Sequence, residues 1–281
     1  MAVEPVKNAM TVDVEDFYQV SAFEQFIPAE CWETYPQRVH LGLMRILDTM
    51  ERRQVRGTYF ILGWVAEHFP ELVREIANRG HEIGFHSRSH QLIYNMTPED
   101  FREDIHRGKA LLEEVAGREV RAFRAPSFSI TEKSLWALDI LAEEGFLYDS
   151  SIFPIHHDRY GIPNANIHIH ALETVHGEVR EFPPAVVRKF GQNLPVSGGG
   201  YFRLYPYWLT RRWLRQINRE RPFVFYIHPW ELDPEQPRLP FGSRATQFRH
   251  RVGLRKNAKK LDCLLRDFSF GPLSEVIDQN I

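Results

Sequence analysis

The sequence is poor in cysteine. Its 281 residues include only Cys31 and Cys263, which lie far apart and in no CxxC pattern. A zinc ribbon needs clustered cysteines, and a small disulfide-stabilised fold needs several pairs, so neither class fits. The low cysteine content is typical of a protein from a reducing compartment.

Long apolar runs and a strong net charge are also missing. No stretch approaches the roughly 20 consecutive apolar residues of a membrane-spanning helix, and the start, MAVEPVKNAM, lacks the apolar core of a secretory signal. The formal net charge of -2 argues against an extended nucleic-acid-binding surface. We therefore expect no integral membrane segment and no nucleic-acid partner, with a location in the cytoplasm or peripherally at the inner membrane.

The sequence does contain a regular alternation of strand and helix patterns. Hydrophobic residues make up 43% of the chain, which is enough for a large core. The predicted strands are 9–12, 57–62, 82–86, 120–124, 223–227 and 267–270, and the predicted helices are 39–53, 64–78, 97–115, 131–144, 206–220 and 246–266. This alternation predicts an α/β fold with parallel strands and right-handed helical crossovers.

One stretch departs from the alternation. Between about 150 and 205, prolines, glycines and short alternating runs replace the long helices. These features predict an antiparallel or irregular insertion. The other connections are too short for separate domains, so we expect residues 1–281 to form one domain that includes the insertion.

Polar side chains follow four of the predicted strands, at the point where each strand ends. An acidic cluster follows the first strand, two histidines lie at the end of the third, and Arg124 and His228 end two later strands. In a (β/α) barrel the carboxyl ends of the strands share one face, which is where barrel sites are built. We therefore expect these side chains to lie close together.

The histidines His86 and His90 have the spacing of metal ligands, although such a pair is more often a surface or core feature. Their motif, HSRSH, lacks the glutamate of HExxH, so a carboxylate must come from elsewhere. Asp13 and Glu15 lie on one face of a regular strand and Asp16 on the other. Two histidines and one carboxylate would leave open positions on zinc for water and a substrate oxygen, as hydrolytic sites require.

His228 and Arg124 could each have either a structural or a chemical role. His228 follows an aromatic-rich strand in FYIHPWE and could be a packed core histidine or a general acid. Arg124 in RAPSFS could be a surface arginine at a strand end, or could pair with a carboxylate and hold it ionised. The residues alone leave both alternatives open.

Together, the stretches TVDVED, HSRSH, RAPSF and YIHPWE resemble, in this order, those of the NodB-type polysaccharide deacetylases, carbohydrate esterase family 4. The DVED form and the later FPP and GGGYFRLYP are similar to the branch found in exopolysaccharide gene clusters. The resemblance covers nearly the whole chain. It implies a deformed (β/α) barrel of about seven parallel strands and one divalent metal, usually zinc. It also implies that the protein hydrolyses N-acetyl groups on amino sugars of a polysaccharide or its lipid-linked precursor, with metal-bound water as nucleophile.

The resemblance also implies roles for individual residues. Asp13 matches the catalytic base, Arg124 the arginine that braces the base, and His228 the general acid. His86 and His90 match the metal histidines.

The resemblance leaves the third metal ligand open between two acids, because Val14 stands where the common family motif has its second aspartate. Relatives with an Asp-x-Asp motif use the acid two residues after the base, which favours Glu15. The alternative is that an altered loop presents Asp16 to the metal instead of Glu15.

Four residues are candidates for substrate binding: Pro126 and Phe128 of RAPSF, with Tyr201 and Trp230. Aromatic rings stack on sugar faces, although aromatic residues in such numbers are more often part of the core. The expected partner is an N-acetylated oligosaccharide or polysaccharide. Two alternatives remain: a related barrel hydrolase of a small amide or cyclic ureide, and an inactive glycan-binding protein.

Overall fold

A mostly parallel β-sheet runs through the computed structural model, which describes residues 6–189 and 191–281. The strands are β1 (Lys7–Val14), β2 (Thr58–Ile61), β3 (Glu82–Phe85), β4 (Ala122–Phe123), β5 (Tyr148–Asp149), β6 (His170–Thr174), β7 (Gly177–Glu181), β8 (Val186–Lys189), β9 (Gln192–Pro195), β10 (Val224–Ile227) and β11 (Ser269–Gly271). The helices are α1 (Val39–Arg52), α2 (Gly63–His68), α3 (Pro70–Asn78), α4 (Pro98–Ala116), α5 (Ala137–Glu143), α6 (Gly199–Leu204), α7 (Tyr207–Ile217), α8 (Arg244–Arg251), α9 (Leu254–Asp267) and α10 (Leu273–Asp278).

The strands of the main sheet follow the order β10-β1-β2-β3-β4-β5-β7-β6, and β11 also pairs with β1. All of these pairs are parallel except β6 with β7, and β8 with β9 forms a separate antiparallel pair. A bridge between Pro184 and Val224 brings the chain after β7 back to β10. The sheet therefore curls into a half-barrel flanked by helices, which confirms the expected deformed barrel with an antiparallel insertion.

The central strand is β1, and its position explains its sequence. Every residue after Lys7 is buried, as expected for a parallel strand covered on both faces. Val12 lies opposite Ile227 of β10, and Asp13 lies opposite Phe60 of β2. The carboxyl end of β1 therefore meets the ends of two neighbouring strands.

Local sequence signals account for the most regular helices. In α4 the Thr97 hydroxyl accepts a hydrogen bond from the Asp100 N–H, and Gly117 ends the helix in a left-handed conformation with φ of 65°. Both ends agree with the prediction. Among the described residues, no helix is both long enough and apolar enough to cross a membrane.

Two predicted helices are each broken in the structure. The helix expected over 64–78 is interrupted at Phe69, because Pro70 has no N–H to continue it and instead begins α3. The helix expected over 246–266 is divided into α8 and α9 at Gly253, whose φ is +74°. The prediction missed β5 and α10, and the helix expected over 131–144 covers only α5.

Candidate active site

A carboxylate and two histidines converge at the carboxyl ends of β1 and β3. The side chains of Glu15, His86 and His90 are buried, and each offers a ligand atom within 4.8 Å of the others. Glu15 comes one residue after β1, and His86 directly follows β3. This is the cluster that could hold a metal ion.

An unusual backbone conformation brings the second histidine into the cluster. Ser87 and His90 have φ angles of 63° and 56°, in the left-handed region that non-glycine residues rarely adopt. The chain turns back on itself after β3, and His90 Nε2 comes to lie 2.9 Å from Glu15 Oε2. The two imidazole rings are 5.4 Å apart between centroids. The strained backbone at Ser87 and His90 thus brings the side chain of His90 next to those of Glu15 and His86.

Hydrogen bonds fix which nitrogen of each histidine faces the cluster. His86 Nδ1 lies 2.7 Å from the Arg124 carbonyl oxygen, which can only accept, so Nδ1 carries the proton and Nε2 keeps its lone pair. His90 Nδ1 lies 3.4 Å from the Ser21 hydroxyl, and its Nε2 faces Glu15. Burial lowers the pKa of His86 to about 4, so its ring is neutral, as a metal ligand must be.

The carboxylate of Glu15 is ionised and incompletely paired. Burial alone would raise its pKa, but the neighbouring His90 and His228 outweigh burial and lower the pKa to about 2. Glu15 Oε1 accepts a hydrogen bond from Trp230 Nε1 at 3.1 Å, whereas the buried Oε2 has no hydrogen-bond partner among the described residues apart from His90 Nε2, which faces it at 2.9 Å. A buried anionic oxygen beside two imidazole nitrogens fits a divalent cation, and this donor set suits zinc.

Asp16, the alternative third ligand, lies away from this cluster. Its carboxylate accepts hydrogen bonds from the N–H groups of Phe17 at 2.8 Å, Arg38 at 2.5 Å and Val39 at 2.8 Å. Asp16 therefore holds the start of α1 in place. Of the two acids that the sequence left open, Glu15 is the one that the structure brings to the histidines.

Asp13 and Arg124 form a buried ion pair beside the cluster. Arg124 Nη1 donates to Asp13 Oδ1 at 2.8 Å, and the arginine is fully buried. Further bonds to the Thr11 hydroxyl and to both oxygens of Ser150 fix the guanidinium, which also lies 4.4 Å from the ring centre of Phe60. The arginine thus orients one oxygen of Asp13 and leaves the other, Oδ2, facing the cluster.

His228 lies next to both carboxylates. Its Nε2 is 3.6 Å from Glu15 Oε1 and 3.7 Å from Asp13 Oδ2. Burial would lower its pKa, but the carboxylates of Glu231, Glu15 and Asp13 outweigh burial and raise the pKa to about 9. His228 is therefore protonated at neutral pH. At 16% side-chain exposure it is more accessible than Asp13, Glu15 or His90, so a substrate would approach from its side.

The sequence did not reveal the residue that supports His228. Glu231 is buried, and its Oε2 accepts from the His228 backbone N–H at 3.1 Å and lies 3.2 Å from His228 Nδ1. Its Oε1 accepts from Arg203 Nε at 2.6 Å. The signal was an acid three residues after the histidine, which is capping-box spacing.

The four proposed sugar-binding residues differ in accessibility. Trp230 is 6% exposed, and its ring lies between those of His228 and His250, with centroid distances of 5.4 and 4.7 Å. Its ring faces are therefore occupied, and it supports Glu15 instead of offering a stacking surface. Pro126 and Phe128 are buried as well, whereas Tyr201 is half-buried.

Two segments of the chain match protein-family models. Residues 34–143 match the family model "Polysaccharide deacetylase", and residues 150–278 match "Domain of unknown function (DUF3473)". These comparisons support the polysaccharide deacetylase family. His86, His90 and Arg124 lie in the first matched segment, His228 lies in the second, and Asp13 and Glu15 precede both.

The curated relatives match only the first part of the chain. A peptidoglycan-N-acetylglucosamine deacetylase of Bacillus cereus is 36% identical over 96 residues, 34% of this chain and 35% of the relative. A peptidoglycan-N-acetylmuramic acid deacetylase of Bacillus subtilis is 25% identical over 104 residues, 34% of this chain and 22% of the relative. The chain thus spans about a third or less of the length of these two deacetylases.

Solved structures share the fold over nearly the whole chain. A crystal structure from Mycobacterium smegmatis, provisionally described as a polysaccharide deacetylase, has a TM-score of 0.63 at 20% identity and covers 99% of this chain and 92% of its own. A CE4 family pseudoenzyme from Bacillus anthracis has a TM-score of 0.52 at 12% identity, covering 98% and 66%. At these identities the similarity shows the deacetylase fold.

Proposed function

We propose that this protein is a metal-dependent hydrolase that removes N-acetyl groups from amino sugars of a polysaccharide or its lipid-linked precursor. One observation carries the proposal: a buried Glu15, His86 and His90 cluster lies next to an arginine-braced carboxylate and a protonated histidine. A metal-dependent hydrolase of amides uses these three functions together.

Glu15, His86 and His90 would hold the metal. When bound, a divalent ion there would polarise the acetyl carbonyl and lower the pKa of a bound water. Glu15 Oε2 and the Nε2 atoms of His86 and His90 are the donor atoms that support this role.

The remaining residues would move protons. Asp13 Oδ2, which Arg124 leaves free, accepts a proton from the attacking water as the new C–O bond forms. His228 Nε2–H then gives its proton to the amide nitrogen as the C–N bond breaks. The products are acetate and a sugar with a free amine. Glu231 keeps His228 protonated and oriented until this step.

We further propose that residues 1–281 work as one catalytic domain. The site combines residues from the beginning, middle and end of the chain, and one sheet contains β1 to β7 together with β10 and β11. The antiparallel insertion is hydrogen-bonded to β5 through β7, which supports its inclusion in the same unit.

Acetate release tests the proposal. The zinc-loaded protein should release acetate from chitooligosaccharides, and Asp13→Asn should lower the rate by about 10²–10⁴ while zinc content stays the same. An inactive wild-type protein with tightly bound zinc would favour a hydrolase of small amides or cyclic ureides. A protein that binds no metal would contradict both enzymatic functions and leave a glycan-binding role.

A further inference from the structure

The outward face of α7 carries a tryptophan and three arginines in one stripe. Trp208, Arg212, Arg215 and Arg219 are all exposed, and their spacing of four, three and four residues places them one above another along the helix. Arg219 lies just beyond the end of α7, where its N–H still donates to a carbonyl oxygen of the last turn. Leu204, the exposed last residue of α6, comes four residues before Trp208. We refer to these five residues as the α7 stripe.

The arginines of the α7 stripe lack carboxylate partners. Arg211, on another side of the helix, pairs with Asp267 at 2.8 Å, but within the part of the chain that the structure describes no carboxylate pairs with Arg212, Arg215 or Arg219. The local composition explains this, because residues 182–219 contain seven lysines and arginines and no aspartate or glutamate. The net charge of -2 is therefore unevenly distributed, and this face is positive and attracts anions.

Two apolar side chains of the stripe are open to solvent. Trp208 is 66% exposed and Leu204 is 51% exposed, whereas the other five tryptophans of the chain are buried or half-buried. A tryptophan ring favours the headgroup level of a bilayer, where the ring meets apolar chains and its N–H meets polar groups. Basic residues beside tryptophan and leucine are typical of surfaces that bind anionic membranes. A small soluble anion would use the arginines alone and would leave both apolar side chains in water.

A second copy of the chain is a poor occupant of this face. In a two-fold dimer the same patch meets itself, so the arginines of one α7 stripe would lie against those of the other. Like charges at such an interface repel each other. The phosphate groups of lipids instead offer arginine the bidentate acceptor geometry that it prefers. Charge complementarity thus favours an anionic bilayer.

We propose that the α7 stripe binds the surface of a bilayer that contains anionic phospholipids. Arg212, Arg215 and Arg219 pair with lipid phosphates, and Trp208 and Leu204 enter the layer of headgroups. The contact is peripheral, because the opposite face of α7 stays buried against the protein. It does not depend on the deacetylase function, since no residue of the stripe takes part in the proposed chemistry.

Vesicle binding tests the role of the arginines. We would sediment the full chain with phosphatidylcholine vesicles that contain either no phosphatidylglycerol or about 30% of it, a strongly anionic surface. We expect binding to the anionic vesicles only, and release at high salt because the charges are screened. The triple change Arg212→Gln, Arg215→Gln and Arg219→Gln should lower the partition coefficient about 100-fold, which is about fivefold for each arginine. If circular dichroism shows that this variant is unfolded, Arg215→Gln alone, with an expected fivefold loss, replaces it.

The matched control removes three positive charges elsewhere. Arg74→Gln, Arg107→Gln and Lys133→Gln change exposed residues of α3, of α4 and of the segment before α5. This variant has the same net charge as the stripe variant, and its partition coefficient should stay within about twofold of the wild-type value, because screening limits charge effects to about 10 Å. Equal losses in the two triple variants would show that net charge, and not the α7 stripe, causes binding.

Tryptophan quenching tests the orientation on the bilayer. Brominated phospholipids quench only the tryptophans that they contact. Anionic vesicles with bromine in the acyl chains should therefore quench part of the wild-type fluorescence, and Trp208→Phe, which keeps an aromatic ring, should abolish this quenching. Quenching that persists in Trp208→Phe would place another tryptophan at the bilayer and overturn the proposed contact.

A soluble polyanion separates the bilayer from other anionic partners. Binding of the wild type to dextran sulfate but not to anionic vesicles would overturn the bilayer and assign the stripe to a polyanion. Equal binding to vesicles with and without phosphatidylglycerol, or binding to neither, would also overturn the proposal. None of these results changes acetate release by the chain in free solution, so the deacetylase proposal is tested separately.

Discussion

Two adjacent acids, Glu15 and Asp16, serve different parts of the molecule. Glu15 turns towards His86 and His90. Asp16 instead accepts hydrogen bonds from three backbone N–H groups, that of the next residue, Phe17, and those of Arg38 and Val39 at the start of α1. A strand alternates its side chains between faces, so consecutive acids at its end separate in this way.

This separation predicts opposite effects of two alanine substitutions. Glu15→Ala should abolish stoichiometric zinc binding, because one of three protein ligands is lost. Asp16→Ala should retain zinc but lower the free energy of unfolding by about 1–3 kcal/mol, because buried N–H groups lose their acceptor. Metal analysis and thermal unfolding measure both effects. Zinc loss in Asp16→Ala with zinc retained in Glu15→Ala would reverse the assignment.

A second prediction concerns the proton on His228. The Glu231 carboxylate helps to raise the pKa of His228 to about 9, so activity that needs the imidazolium falls as pH rises through this value. Glu231→Gln removes the negative charge and lowers the pKa, which should move the alkaline limb of the kcat profile down by about one pH unit.

The control for this experiment is Asp262→Asn. This change also removes a carboxylate that pairs with an arginine, since Asp262 of α9 pairs with Arg53 just after the end of α1. Its alkaline limb should match that of the wild type. Because Glu231→Gln also leaves the buried Arg203 without its anionic partner, circular dichroism must show that the variant is folded. A folded Glu231→Gln protein with an unshifted limb would show that Glu231 does not set this pKa.

At the scale of the elements, the corner between α8 and α9 depends on one glycine. Gly253 has a φ of +74°, and a Cβ atom there would lie 2.4 Å from the Arg203 carbonyl oxygen. Gly117 ends α4 with a similar φ of +65°, but a Cβ atom there would have no neighbour within 4 Å. The two positions share the backbone requirement and differ in the space around them.

Alanine at these two glycines should therefore differ in cost. Gly117→Ala should lower the free energy of unfolding by about 1 kcal/mol, the cost of a left-handed residue with a side chain. Gly253→Ala should lower it by about 2–4 kcal/mol, because α8 and α9 must also move away from α6. Denaturant midpoints measure the difference. Equal midpoints would show that the close approach to Arg203 does not matter.

The same corner shows what the sequence could and could not predict. The ends of α4 were predictable because Thr97, Pro98 and Gly117 act within one or two turns of the helix. The break at Gly253 was not predicted, and the Arg203 carbonyl that approaches this glycine lies 50 residues earlier in the chain. The ends of α4 thus follow from local signals, whereas the corner between α8 and α9 also involves a tertiary contact.

The candidate site was likewise predictable only in part from the sequence. The polar residues at the strand ends were predictable, because carboxyl ends of parallel strands meet on one face. The convergence of His90 was not, since it needs a left-handed backbone at a residue without that preference. The burial of Trp230 between two imidazole rings was also not predictable, because an aromatic residue near a site suits stacking and packing equally well.

At the scale of the whole molecule, the buried polar cluster predicts that metal stabilises the fold. An ion that binds the folded chain and not the unfolded one adds stability in proportion to the logarithm of its concentration over Kd. At a thousandfold excess, zinc should raise Tm by about 10 °C. His86→Ala should remove this response, whereas alanine at the exposed His106 of α4 should retain it. A zinc response in His86→Ala would place the stabilising ion elsewhere.

The pairing of β1 with β10 has a consequence for how the protein is made. Glu15 receives its hydrogen bond from Trp230, 215 residues later in the chain. At a synthesis rate of about 5–20 residues per second, β1 waits about 10–40 s for this partner strand. Nascent chains arrested before β10 should therefore expose β1 to proteases and aggregation, and chains released beyond β11 should protect it. Of the strands described here, β1, which carries Asp13, is synthesised first, but it gains its partner strands β10 and β11 last.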